Sequence, residues 1–379
     1  MKTPQILQIG CLSVLLAGCV SRHGSSSANT LKATYKKAFL IGVAINQSQF
    51  SEEDQRGIPI IRTQFNSITP ENILKWESVH PEPEQYAFEA PDRYIQFGKS
   101  NGMFIIGHTL VWHSQTPNWV FQNADGSPVS RDTLLNRMSN HIHTVVGRYK
   151  GRIKGWDVVN EALNEDGTLR QSPWLKIIGE DYIAKAFEFA HAADPQAELH
   201  YNDYSLENEP KRNGAVALIK KLQAQGIPVT AVGLQDHVKM DWPTVEQEDA
   251  TIAAFAKLGV KVMITELDVD VNQASQANHS ADIALAGQAT AGSAGDTNGL
   301  PDSVQQALAK RYADLFGVFL KHRDVVTRVT FWGVTDGDSW LNSFPRRRVN
   351  HPLLFDRAGK PKPAFDAVIR AGQRSTGSF

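Results

Sequence analysis

The feature that most constrains this chain is a rhythm. Short, apolar, β-branched runs alternate with longer stretches of helical periodicity from residue 31 onward. The runs are Phe39–Asn46, Asn66–Thr69, Met103–Trp112, Ile153–Asn160, Glu198–Asn202, Val229–Gln235, Val260–Asp268 and Val326–Val334. Between them lie helix-like segments such as Asp132–Tyr149, Tyr182–Ala193, Lys211–Gln225, Val245–Leu258 and Ser303–His322. Strands separated by helices in this way favour βα units and a parallel sheet. Eight units predict an α/β fold, the (β/α)8 or TIM barrel, with its active site at the C-terminal strand ends. An open doubly wound sheet is the alternative, but no Gly-rich phosphate loop follows any run. No internal repeat signals a solenoid. One stretch, Asn272 to Asp302, is rich in Ala, Gly, Ser, Gln and Asn. It reads as an insertion after the seventh strand, on the active-site face, and loops of that length are either functional or loosely ordered.

The first thirty residues belong to something else. Lys2 gives a short positive start, and Ile6 to Ala17 form an apolar run too short to span a bilayer but suited to a signal peptide. Leu16-Ala17-Gly18-Cys19 then resembles the lipobox of bacterial lipoproteins, which implies cleavage before Cys19 and acylation of that residue. An ordinary cleaved signal with an incidental cysteine is the alternative. The expected organisation is a lipoprotein signal segment over 1–19, a Ser-rich linker over 20–30 and one catalytic barrel over 31–373. The expected location is the cell envelope, lipid-anchored, at the outer membrane of a Gram-negative bacterium. The only cysteines are Cys11 and Cys19, so the body of the chain has no thiol for disulfides, metal or covalent catalysis. With 39 Lys and Arg against 40 Asp and Glu, the chain also lacks the excess of positive charge that nucleic-acid binding needs.

The chemistry gathers at the strand ends. The fourth run finishes Trp156-Asp157-Val158-Val159-Asn160-Glu161-Ala162, and the seventh Met263-Ile264-Thr265-Glu266-Leu267-Asp268. Each puts a Glu where a buried strand delivers its last side chains to a barrel mouth. A lone Glu there can be no more than an exposed strand-end carboxylate. Two of them are the minimum equipment for glycoside hydrolysis, in which one protonates the leaving oxygen and the other attacks or activates water. Asn160, next to Glu161, can hold a sugar hydroxyl. The other ends add His108, Trp112, His113 and Gln115, then Asn202, Asp203 and Tyr204, then Gln235, Asp236 and His237, and finally Trp332 and Trp340. Sugars call for this mixture of hydrogen-bonding groups and flat apolar rings. Trp156 and Trp174 read as core, whereas Trp112, Trp332 and Trp340 are placed to be either core or stacking platforms. No metal site is expected, because His108 and His113 are five apart and His141 and His143 two apart, neither a zinc spacing. No G-x-S-x-G nucleophile elbow occurs. A sugar-binding protein without catalysis and a β-1,4-glucanase remain open, though the former would not need both Glu161 and Glu266.

These residues fall in motifs that resemble glycoside hydrolase family 10, the endo-1,4-β-xylanases. The markers are Asn66 to Asn72 with Lys75-Trp76, Gly107 to Gln115, Trp156 to Ala162, Asn202-Asp203-Tyr204, Gly233 to His237, Thr265 to Asp268, and Pro352 to Asp356 with Lys360 to Pro363. The resemblance runs from about Phe39 to Phe365. It implies endo-acting, retaining hydrolysis of β-1,4-xylosidic bonds in xylan and xylo-oligosaccharides, with no cofactor, by a monomer. It implies Glu161 as general acid/base, Glu266 as nucleophile, His237 as the nucleophile's hydrogen-bond partner and Asn160 as a contact to the sugar 2-hydroxyl. It places Glu71, Asn72, Lys75, His108, Trp112, Gln115, Gln235, Trp332 and Trp340 along the sugar subsites upstream of the scissile bond. Gln115 and Trp340 would wall the C5 side. Four features depart from the family pattern: Asp236, Val238 where a larger apolar or aromatic side chain is frequent, the Asn272–Asp302 insertion, and the Arg346-Arg347-Arg348 cluster. Asp236 stands where a small residue is common, and would perturb Glu266 or His237 if it pointed inward. The Arg346-Arg347-Arg348 cluster is either a solvated loop or a site for uronic-acid decorations on xylan.

Overall fold

The computed structural model describes residues 29–272, 299–344 and 347–376. The predicted insertion therefore lies mostly outside the described residues, as do the signal segment, Cys11, Cys19, most of the linker and Arg346.

Among the described residues nine strands form: β1 (Leu40–Ile45), β2 (Ser67–Pro70), β3 (Phe104–Val111), β4 (Gly155–Asn160), β5 (Glu198–Asp203), β6 (Ala231–Leu234), β7 (His237–Lys239), β8 (Lys261–Asp270) and β9 (Val326–Phe331). Neighbours from β1 to β6 pair in parallel, β1 pairs with β9, β9 with β8, and β8 with β6. Eight strands therefore close on themselves, and helices fill the connections. This is the predicted (β/α)8 barrel, in which each of the eight expected runs supplies one staff. The short β7 was not expected. It lies beside the extended end of β8, pairing His237 with Asp268 and Lys239 with Asp270.

The barrel strands are buried on both faces: β1 to β6 and β9 present at most one partly exposed position each. The core is continuous, with Ile41, Val43, Ile68, Ile106, Val158, Leu199, Val232, Ile264 and Val329 all essentially sealed from water. Trp156 and Trp174 are buried in it, as the sequence suggested. Close packing leaves little room between staves. A Cβ on Gly107 would come within 2.1 Å of the Trp156 ring, so only glycine lets β3 and β4 carry that indole between them. Among the described residues no helix is long and apolar enough to cross a membrane.

Candidate active site

The thirteen residues expected at the catalytic centre and sugar subsites converge on one cavity of about 440 Å³ at the C-terminal strand ends. Glu71, Asn72 and Lys75 come from the chain after β2, His108 from β3, and Trp112 and Gln115 from just beyond it. Asn160 ends β4 and Glu161 follows. Gln235 and His237 flank the turn from β6 to β7, Glu266 sits inside β8, and Trp332 and Trp340 follow β9. A second cavity of about 610 Å³ shares Glu71 and Asn72 and extends the cleft past β2.

Glu161 leaves β4 in the left-handed region, at φ 56°, a conformation that costs a non-glycine residue energy and persists only when its surroundings impose it. Its amide donates to the carbonyl of Asn202 at 2.9 Å, which anchors the turn to β5. The side chain is then sealed among donors. Trp112 Nε1 donates to Oε2 at 2.8 Å, and Gln235 Nε2 and Asn160 Nδ2 donate to Oε1 at 3.0 and 3.2 Å. Burial pushes the Glu161 carboxyl above its ordinary value. The charges of Asp203 and Glu266 add to that push, and the bonds from Gln235 and Trp112 oppose it.

Glu266 is held differently. Its Oε1 accepts from Asn202 Nδ2 at 2.8 Å, and its Oε2 lies 3.2 Å from His237 Nε2. The far nitrogen of His237 faces Asp268 Oδ2 at 3.2 Å, and the same oxygen accepts from Trp340 Nε1 at 2.8 Å. Burial alone would lower His237. The adjoining Asp268 and Glu266 carboxylates override it and raise the imidazole to about 10, so it is a cation beside Glu266 at neutral pH. The two glutamates thus sit in contrasting environments, one favouring the proton and the other held by a cation and an amide.

Asn202 joins the two halves. Its Nδ2 donates to Glu266 and also to Asn160 Oδ1 at 2.8 Å, while its Oδ1 accepts from Thr265 Oγ1 at 2.7 Å. Space for this amide comes from Gly233 on β6, where a Cβ would stand 2.3 Å from Asn202 Oδ1. The sequence marked Asn202 as part of a motif without assigning it a place beside Glu266. Its position at a strand end, two staves from Glu266, was the available signal. Asp157 was likewise missed. It accepts from the rings of His108 at 2.9 Å and His200 at 3.2 Å, which fixes His108 in the cavity wall.

On the upstream side, Lys75 Nζ donates to Asn72 Oδ1 at 2.9 Å and Gln115 Oε1 at 2.8 Å, and lies 4.9 Å from the Trp112 ring centre. Burial lowers its pKa against the pull of the surrounding glutamates. Burial also raises Glu71, to about 7, reinforced by Asp338 and opposed by Lys75. Trp332 packs edge-on against His108, and Trp340 stacks on Phe344 with ring centres 4.7 Å apart. Trp112 is buried and committed to Glu161, so it serves the site as wall and donor.

Two of these departures, Asp236 and Arg348, can be followed in the structure. Asp236 turns away from Glu161 and Glu266 and into a buried cluster with Glu207 and Glu248. Arg348 does not face the cleft freely, because its guanidinium binds Asp270 at 2.6 Å at the end of β8. Arg347 is exposed.

Two buried carboxyls, ringed by amides and indoles at the mouth of a closed barrel, define a carbohydrate-cleaving TIM-barrel hydrolase. Comparison with known proteins narrows the class. The family model for glycosyl hydrolase family 10 matches residues 30–371. Endo-1,4-beta-xylanase A of Xylanibacter ruminicola is 43% identical over 342 residues, spanning 90% of this chain and 93% of that one. A family 10 endoxylanase from a sugarcane soil metagenome superposes with a TM-score of 0.83 at 44% identity, covering 91% of this chain and 99% of the other. A variant solved with xylotriose superposes with a TM-score of 0.80 at 36% identity, covering 90% and 99%. This chain belongs to glycosyl hydrolase family 10.

Proposed function

We propose that this endo-1,4-β-xylanase cleaves xylan by a retaining double displacement, with Glu266 as nucleophile and Glu161 as general acid and then base. The observation that carries the reading is the contrast between the two carboxyls. A nucleophile must be ionised, and Glu266 lies between the Asn202 amide and the His237 imidazole, whose pKa is raised to about 10. A general acid must hold its proton near neutral pH, and burial raises Glu161. In the first step Glu266 attacks the anomeric carbon as Glu161 protonates the departing oxygen. In the second, Glu161 takes a proton from water, which displaces Glu266. Asn160 lies beside both groups through Asn202 and Gln235, where it can bind the 2-hydroxyl of the reacting sugar. The long cleft of two adjoining cavities favours attack within a chain rather than at its end. The experiment is proton NMR during early hydrolysis of xylohexaose. Retention predicts the β-anomer as the first product, and an initial α-product would overturn the mechanism.

We further propose that the enzyme acts as a monomer tethered to the envelope through acylated Cys19, since Leu16-Ala17-Gly18-Cys19 reads as a lipobox. Cys19→Ser should move the protein from the membrane to the soluble fraction, because a single missing lipid pair removes the anchor. Membrane association that survives the change would exclude lipid anchoring at this residue.

A further inference from the structure

Behind the active site, three carboxylates meet without partners. Glu207 follows β5, Asp236 forms the turn between β6 and β7, and Glu248 lies in the helix Val245–Ala256. One oxygen from each lies within 4.8 Å of the others, and the residues are only 2%, 1% and 0% exposed. Both oxygens of Asp236, both of Glu248 and Oε1 of Glu207 have no hydrogen-bond partner. Glu207 and Asp236 lie within hydrogen-bond reach of one another, and because two ionised carboxylates offer only acceptors, either a proton or a cation must be shared between them.

The protein supplies too little positive charge to answer this. Arg311 lies close enough to interact with Asp236 and Glu248, but its hydrogen bonds run to the carbonyls of Lys239 at 3.0 Å and Pro243 at 2.7 Å. Of the two further cations near Glu207, Lys211 is committed to Asp203 at 3.0 Å, and Arg212 donates to the Glu207 carbonyl at 3.3 Å and to Thr251 Oγ1 at 3.2 Å rather than to a carboxylate of the cluster. If all three were ionised, Arg311 would offset one charge and leave about two in a buried pocket, where an uncompensated charge is very costly. Burial accordingly pushes all three carboxyls up, so the pocket must take in positive charge as protons or as a cation.

We propose that Glu207, Asp236 and Glu248 form a binding site for one divalent cation, with Ca²⁺ the best match. The donors are all oxygen, which selects hard cations over zinc or copper. Ca²⁺ takes carboxylate oxygens at about 2.3–2.6 Å, so its ligands spread over as much as about 5 Å, the spacing found here. Its charge cancels the remaining two. The ion would tie together the segment after β5, the turn between β6 and β7 and the helix Val245–Ala256. Asp236 adopts a left-handed φ of 57°, and its neighbours in the chain are Gln235 and His237, the partners of Glu161 and Glu266. The carbonyls of Gln235 and Asp236 also accept from the amides of Glu266 at 2.9 Å and Asp268 at 3.3 Å. A cation on Asp236 therefore fixes the turn from which the catalytic surroundings are hung.

The test uses the purified full chain, stripped with EDTA and exchanged into metal-free buffer. Thermal unfolding is followed while Ca²⁺ is added, and bound metal is counted by elemental analysis. The expected result is about one equivalent of Ca²⁺ retained after gel filtration and a saturable rise in Tm of about 5 °C or more. Asp236→Asn and Glu248→Gln should each abolish the response, and if one variant fails to fold the other decides. The proposal is overturned if wild-type protein retains no metal and about 10 mM Ca²⁺, Mg²⁺ or Mn²⁺ leaves Tm unchanged, since the cluster then holds protons only. It is equally overturned if both variants respond as wild type does. Neither readout depends on xylanase activity.

Discussion

Asn202→Ala is the sharpest test of how the site is built. The side chain is fully buried and makes three hydrogen bonds, one to the Glu266 carboxylate and two to the neutral groups of Asn160 and Thr265. Hydrogen bonds to a charged group contribute about 1.5–3 kcal/mol and neutral ones about 1 kcal/mol each. The two neutral losses predict a destabilisation of about 2 kcal/mol, seen as a fall in Tm of roughly 5 °C. The charged loss acts on the chemistry. Glu266 keeps only the His237 contact, so its carboxylate is free to rotate away from the anomeric carbon. If that interaction is expressed in the transition state, kcat should fall roughly ten- to hundredfold, since each 1.4 kcal/mol is a factor of ten. The assay is kcat and KM on an aryl β-xylobioside at a temperature well below the variant's Tm. KM should move little, because Asn202 touches the carboxylate rather than the sugar. A variant that loses the expected stability but keeps kcat within about twofold would refute the argument, and would make Asn202 a packing residue alone.

Other outcomes follow from the same geometry. Glu266→Ala should abolish turnover of every xyloside, whereas Glu161→Ala should spare the first step on aryl xylosides with good leaving groups, which need little protonation. In the wild type, activity on poor leaving groups should fall as pH rises through the raised pKa of Glu161, and that limb should be missing from Glu161→Ala; equal losses on all leaving groups, in both variants, would reverse the assignment. Gln115→Ala and Trp340→Ala should each raise the glucoside-to-xyloside ratio of kcat/KM, because space then opens for the hydroxymethyl group that glucose carries on C5. Trp340→Ala should also cost xyloside activity, since its indole both lines the cavity and donates to Asp268, the partner of His237. Matched aryl xylobiosides and cellobiosides give the ratios, and unchanged values in both variants would place the C5 wall elsewhere.

Much of this was written along the chain. Each barrel staff is a short apolar run because a parallel strand covered by helices on one face and core on the other has no solvent side to alternate toward. Glu161 and Glu266 could be found because each closes or nearly closes such a run, and the barrel exposes those ends together. The five helical segments were found to within a residue or two because each carries an amphipathic period over many turns. What tertiary structure alone decided is where short segments and single polar groups turn. β7 is three residues, His237–Lys239, too short for any period to register, and it exists because β8 runs on far enough to pair with it. Asp236 sits between two active-site residues in the chain, yet a left-handed φ sends its carboxylate to Glu207 and Glu248. Arg348 belongs to a basic triplet that reads as a free surface cluster, and it is tied to Asp270 across 78 positions of sequence. Asn202 carries no local mark distinguishing it from any strand-end amide until Gly233 makes room for it beside Glu266. Periodic burial is a local property, repeated over several residues, and so it survives in one dimension. The direction of one side chain depends on which distant residue lies opposite, and that is settled only when the barrel closes.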